Sequence, residues 1–234
     1  ALGREFVVAF CQRPLRLALG AEGREETFKV SEADAASTCI GPLTEQGFAL
    51  GSNGFNGFSP RTAGTFDRSN WAVYVDVEVQ STERFLLAAA VRHEDFEDFG
   101  GTTNGKLTAR YDASDSFALR GALSTGFRAP TPGQANISQI STVFGGTSLQ
   151  DIATLPPTNP IAELKGARPL GPEESRNLSL GLVWDSGDWL VTVDAYRIEV
   201  DDRIALSTSF DLSDAERAAL VAGGNPEAAS ISSV

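Results

Sequence analysis

The chain has 234 residues, is 41% hydrophobic and 21% charged, and carries a formal charge of −12. That acidity excludes nonspecific nucleic-acid binding, which needs a basic surface. No apolar run reaches the 18 or more residues of a membrane-crossing helix, which leaves strand-based crossing open because barrel strands carry a much weaker hydropathy signal. Methionine is absent. With no secretory leader at the start and no closing feature at the end, this leads us to expect a fragment of a longer protein.

Taken in order, residues 4–11 form a short expected strand, and 12–14 a tight connection. Residues 15–30 form a long strand, with Leu15, Leu17 and Leu19 opposite Arg16, Ala18 and Gly20. Its far end, around Arg24, Glu25 and Glu26, turns polar, as if leaving an apolar layer. Residues 31–68 are rich in Gly, Ser, Asn and Pro and are expected to be irregular. The Gly-rich string at 51–60 lacks the Gly-Lys-Ser/Thr ending and the strand–helix context of a phosphate loop, so it is assigned to the surface. Cys11 and Cys39 fit either a disulfide in an oxidising compartment or two separate thiols.

Residues 71–80 alternate almost without error. Trp71, Val73, Val75, Val77 and Val79 lie on one face, and Ala72, Tyr74, Asp76, Glu78 and Gln80 on the other. Period-2 alternation puts one face in an apolar medium and the other in a polar one. The same pattern holds over 104–112 and 117–127. It suits both a barrel with a wet interior and the solvated face of a soluble sheet. Strands are further expected at 84–99, 174–184 and 189–200. Trp184 and Trp189 flank the turn at 185–188, as in an interfacial girdle or a cross-strand aromatic pair. One helix is expected after Ser213, with Glu216 completing a capping box and Gly223 ending it.

The connections carry more information than any one strand. They run short (12–14), long (31–68), short (81–83), moderate (100–104), short (113–116), long (128–173), short (185–188), long (201 onward). In an up-and-down sheet, alternate connections emerge at opposite ends, so all the tight turns gather at one end. Outer-membrane barrels follow that rule, whereas a Greek-key sandwich does not sort its loops this way. The fold class expected is therefore all-β: an up-and-down antiparallel meander, part of a transmembrane β-barrel, with about eight strands and the long loops at one end.

Several strings then resemble the β-barrel region of TonB-dependent outer-membrane receptors. They are Leu17 through Glu26, Ala90 through Gly100 (AVRHEDFEDFG), Lys106 through Tyr111, Leu119 through Pro130, Pro172 through Ser175, and Asp194 through Ile198. The ending Gly126-Phe127-Arg128-Ala129-Pro130 is the most specific. The resemblance covers most of the chain, and residues 1–234 are expected to form one partial receptor barrel. It implies a plugged barrel of about 22 strands in the bacterial outer membrane, surrounded by its lipid. Such a barrel imports a scarce small ligand (a ferric siderophore, cobalamin or an oligosaccharide) with energy from the partner protein TonB. The plug, the TonB-contacting segment and the closing strands have no counterpart in these residues.

No nucleophile–base constellation is legible, so no enzyme is expected, and neither a metal nor a cofactor. His93 stands alone, and alternation splits Glu94, Asp95, Glu97 and Asp98 between two faces, against a cation loop. Gly126, Phe127, Arg128 and Pro130 are the candidate site: a strand end where Pro130 holds Ala129 extended, with Arg128 a possible contact to lumen or ligand. The loops at 31–68 and 128–173 are the natural seat of ligand recognition. The alternative reading is a soluble extracellular β-sheet module for binding or adhesion, in which a second sheet covers the apolar face about 10 Å away.

Overall fold

The computed structural model describes residues 2–6, 13–43, 46, 48, 51, 57–144 and 149–234. In chain order the strands are β1 (Leu2–Phe6), β2 (Leu15–Val30), β3 (Gly64–Thr82), β4 (Phe85–Phe96), β5 (Gly100–Asp112), β6 (Phe117–Arg128), β7 (Gln139–Phe144), β8 (Leu149–Thr154), β9 (Glu173–Asp185), β10 (Leu190–Asp201) and β11 (Ile231–Ser233). The helices are α1 (Pro132–Asn136), α2 (Pro160–Leu164) and α3 (Asp214–Ala222). Cys11 and the core of the Gly-rich string lie outside the described residues; Cys39 is exposed. The described chain divides into two compact units.

The first unit (Ala1–Glu25, Arg68–Ala129, Gly171–Ile204) holds most of an eight-stranded sheet in the order β1-β2-β3-β4-β5-β6-β9-β10. Every pair whose register is resolved runs antiparallel. This is the expected meander. Register carries the alternation across the sheet. One row reads Val79, Leu87, Ala109, Gly121, Leu180, Ala195; the next reads Val77, Ala89, Leu107, Leu123, Leu178. Each strand presents its apolar set to the same side, because a slip of one residue anywhere would invert that strand's faces. That side is uncovered: Leu123 is 55% exposed, Leu180 62% and Val193 61%. A soluble sandwich would bury these side chains beneath a second sheet.

The tight turns fall where the sequence puts them. The turn at 186–189 closes with Ser186 N donating to Trp189 O at 3.0 Å and Gly187 N to Asp185 Oδ1 at 2.8 Å. Gly187 takes φ +85° there, a conformation that favours glycine. Three boundaries differ from expectation. β3 begins at Gly64, inside the segment expected to be irregular. β4 ends at Phe96, and β5 begins at Gly100 rather than 104. The connection between β4 and β5 is thus only 97–99, and one turn at the loop end is itself tight. Gly100, at φ +87°, lets the chain reverse in so few residues.

The second unit comprises Glu26–Asp67, Pro130–Leu170 and Ala205–Val234. Its three-stranded sheet runs β11-β8-β7, antiparallel between β7 and β8 and parallel between β8 and β11. A small core of Ala153, Ile161, Leu212, Ala228 and Ile231 lies beneath it, with Ile161 and Ile231 fully buried. The expected helix is α3, with Ser213 and Glu216 forming the capping box and Gly223 at its C-cap. The long connection between β6 and β9 therefore has secondary structure of its own, including α1, capped by Thr131 and Gln134.

Candidate functional site

The polar face of the sheet is built from the even-numbered positions of β3 to β6 and β10 and the odd-numbered positions of β9. Three arrangements dominate it, each linking two or more strands.

The first is centred on Arg92 of β4. Its Nε donates to Glu94 Oε1 at 2.5 Å and its NH2 to Glu22 Oε2 at 3.1 Å. The guanidinium lies 5.8 Å from the Tyr74 ring centroid, within cation–π range. Tyr74 in turn folds over Gly20: a Cβ built on Gly20 would lie 2.1 Å from the ring. The absence of a side chain at Gly20 is what gives the ring its seat.

The second lies in one cross-strand row. Arg120 of β6 is paired with Gly181 of β9, and Gly181 with Asp194 of β10. Arg120 reaches across the glycine to grip Asp194, with Nε to Oδ1 at 3.0 Å and NH2 to Oδ2 at 2.7 Å. A Cβ on Gly181 would lie 2.2 Å from Asp194 Oδ1 and 2.6 Å from Arg120 Nε. Both side chains are about half exposed, so the pair tethers two strands that are not neighbours rather than adding much burial.

The third is the expected strand end. Arg128, the last residue of β6, meets Glu173, the first of β9, in a two-pronged pair: Nε to Oε2 at 2.8 Å and NH2 to Oε1 at 2.8 Å. Glu173 Oε1 also accepts from Ile204 N at 2.8 Å. Its side chain is 10% exposed, while that of Arg128 is 55% exposed. The fork geometry of a guanidinium against a carboxylate fixes both partners. Gly126 sits opposite Ser175, whose Oγ would be 2.9 Å from an added Cβ. Phe127 packs edge-on to Phe96, with centroids 5.8 Å apart. Pro130 is fully buried in the second unit. The structure thus ties Arg128 to a carboxylate that sequence reasoning placed in a family string and did not single out as a site.

Three of the four carboxylates after His93 go to separate partners. Glu94 binds Arg92, Glu97 Oε2 accepts from Ser69 Oγ at 2.9 Å, and Asp98 pairs with Arg68 at 3.4 Å. His93 contacts Thr103 Oγ1 at 2.8 Å and the Trp71 ring. Among the described residues, no three His, Cys, Asp or Glu side chains gather as metal ligands would.

In the second unit the hub is Asp151 of β8, 6% exposed. It accepts from Thr142 Oγ1 at 2.5 Å and pairs with Arg61 at 3.5 Å; its backbone N donates to Ser230 O at 3.1 Å. One residue thereby joins β7 and the connection after β2 through its carboxylate, and the segment around β11 through its backbone N–H. No residue spacing announces this, because the partners lie 9 and 90 positions away along the chain. Glu216 is a second anchor. The Lys165 ammonium, at 2.7 Å, holds its carboxyl down at about 2, and the backbone N–H and hydroxyl of Ser213 add to the effect.

The polar face is a lattice of fixed charges, and the opposite face is apolar and uncovered. That combination defines the wall of a water-filled or plugged membrane barrel. The description "TonB dependent receptor-like, beta-barrel" matches residues 37–225, and the chain belongs to that family. It is 24% identical to the iron-regulated outer membrane virulence protein of Vibrio cholerae, over 72% of this chain and 24% of that protein. The ferric enterobactin receptor PfeA of Pseudomonas aeruginosa superposes with a TM-score of 0.57 at 13% identity, covering 85% of this chain and 25% of the receptor. The siderophore receptor PirA of Acinetobacter baumannii gives 0.58 at 17% identity, covering 86% and 26%. These likenesses establish a shared fold. The chain spans about a quarter of the length of these relatives. The family is one of receptors and transporters rather than enzymes.

Proposed function

We propose that this chain is one segment of an outer-membrane active transporter that imports a scarce iron chelate. The observation that carries the reading is the uncovered apolar face of an eight-stranded meander in a chain of this family. Lipid is the medium that such a face requires. Residues 1–234 contribute part of a single barrel wall, and the rest of the receptor completes it. Energy comes through TonB acting on a plug that the wall surrounds. The iron chelate is preferred to cobalamin or an oligosaccharide because the named relatives are iron-regulated or siderophore receptors.

Within this reading Arg128, locked to Glu173 at the loop end of β6, positions the strand end rather than gripping cargo. Gly126 and Phe127 shape the same end. Ligand recognition belongs to the second unit, whose long connections carry their own core and hydrogen-bonded hubs.

The test is expression of the full-length gene with its native ends in a strain lacking its own siderophore receptors. Ferric-siderophore uptake is scored with and without TonB. Outer-membrane insertion with uptake that vanishes when TonB is deleted is the expected result. A soluble secreted product with no membrane fraction overturns the reading.

A further inference from the structure

On the polar face, most charges close on one another: Arg92 on Glu22 and Glu94, Arg110 on Asp112, Arg120 on Asp194, Arg128 on Glu173. One row does not follow. It runs Asp76, Ala90, Lys106, Ser124 and Asn177 across β3, β4, β5, β6 and β9. Among the described residues, neither the Asp76 carboxylate nor the Lys106 ammonium has an ion-pair or hydrogen-bond partner, and both residues are exposed. They stand two strands apart, about 10 Å at about 4.8 Å per strand. Arg120 reaches Asp194 across the same number of strands. There the residue between is Gly181, and the strap closes over it. Here it is Ala90, whose methyl group occupies the crossing, and the two charges stay apart.

The ground around this row is low. The next row toward the tight turns is Ala88, Thr108, Ala122 and Ser179. A hollow of about 240 Å³ opens between that row and Arg110 and Arg120. On the loop side the first tall side chains are Tyr74 and Arg92, one row from Asp76 and Ala90. Between the row of Arg92 and the row of Arg110 lie the residues of β4 from Leu86 to Arg92, about 20 Å at about 3.3 Å per residue. An element of protein backbone about 10 Å across settles in such a trough, with Asp76 and Lys106 rising from its floor.

We infer that this trough seats the plug and grips it through two ion pairs. The seated element presents a carboxylate to Lys106 and a cation to Asp76, about 10 Å apart. The inference rests on the transporter reading proposed above, and adds to it which wall residues hold the plug and which do not. Arg110, Arg120 and Arg128 take no part, because their guanidiniums are already closed on wall carboxylates. When the plug shifts, Asp76 and Lys106 lose their partners and return to water, while the closed pairs stay as they are. Exposed ion pairs hold weakly. The grip therefore sets the position of the plug and yields to a pull.

The test uses the full-length receptor in isolated outer membranes. A carbodiimide joins an ammonium and a carboxylate in contact as an amide, and the joined peptides are identified by mass spectrometry. A link from Lys106 to a carboxylate of the plug is expected. Lys106→Arg keeps the charge but cannot be joined, so the link vanishes while the seat is retained. Hydrogen exchange of the plug peptides gives the second readout. Lys106→Gln and Asp76→Asn are each expected to lower plug protection about threefold. Lys106→Arg is expected to stay near wild type, and Asp112→Asn, whose partner lies within the wall, to leave plug protection unchanged. No link from Lys106 to the plug, or an equal loss of protection in Asp112→Asn, overturns the seat. A wild-type receptor that fails to reach the membrane fraction, or that holds no plug, overturns the transporter reading beneath it instead.

Discussion

Truncating Ile231 to alanine tests whether the second unit is a preformed structure. Ile231 is fully buried against Ala153, Ile161, Leu212 and Ala228, and it is the only large apolar side chain on the three-residue β11. Removing three carbons forfeits about 2.4 kcal/mol of transfer free energy at about 0.8 kcal/mol per carbon. With the unfilled cavity and partial relaxation around it, the loss comes to about 2–4 kcal/mol. Among the backbone hydrogen bonds that depend on the anchored strand are three that serve as reporters: Asp151 N to Ser230 O, Leu212 N to Ser232 O, and Val234 N to Phe210 O. If they open together, their hydrogen-exchange protection falls by about thirtyfold to a thousandfold, since each 1.4 kcal/mol is tenfold. The assay is exchange on the intact receptor, with exposed Val221→Ala as control. A change under about threefold at all three amides, against this expected range, would refute the claim that this small core holds the unit together.

Three further outcomes are expected. Glu216, held at about 2, stabilises the start of α3 fully above the ordinary carboxylate range, and that contribution is lost as pH falls toward about 2. Protection of the α3 amides, taken relative to the intrinsic exchange rate, should therefore fall on acidification through that window, and Glu216→Gln should flatten the profile. Gly181→Val should disrupt the Arg120–Asp194 grip, so adding Asp194→Asn should lower the unfolding midpoint no further; additive effects would refute the crossing geometry. Arg128→Lys replaces a fork with a point charge against Glu173, and protection of the Ile204 amide should fall severalfold. Unchanged protection would mean that Glu173 is positioned without Arg128.

Alternation made the sheet legible. Strands such as β3 and β6 announce both faces within ten residues, and the tight turns carry Gly, Asp and Ser where they are needed. The second unit was hidden because its strands are short: β11 has three residues, and its partner β8 lies about eighty positions earlier. Local pattern carries no signal for such pairing. Of the Arg128–Glu173 pair, the strand end at Arg128 was legible and the partner was not, because Glu173 meets it only when two strands become neighbours after a connection of more than forty residues. The Gly20–Tyr74 and Gly181 seats depend on register in the same way. A glycine within a strand shows only that something comes close, not what.

The reach of Arg120 over Gly181 has a mechanical meaning. β10 is held to β9 by its backbone ladder and to β6 by a strap crossing over β9. Sliding β10 by two residues, about 6.6 Å, would carry Asp194 out of the guanidinium's grasp. Sliding it by one would turn the carboxylate onto the apolar face. The strap works as a latch on alignment: it closes in one register, so β10 is indexed against both β9 and β6 at once.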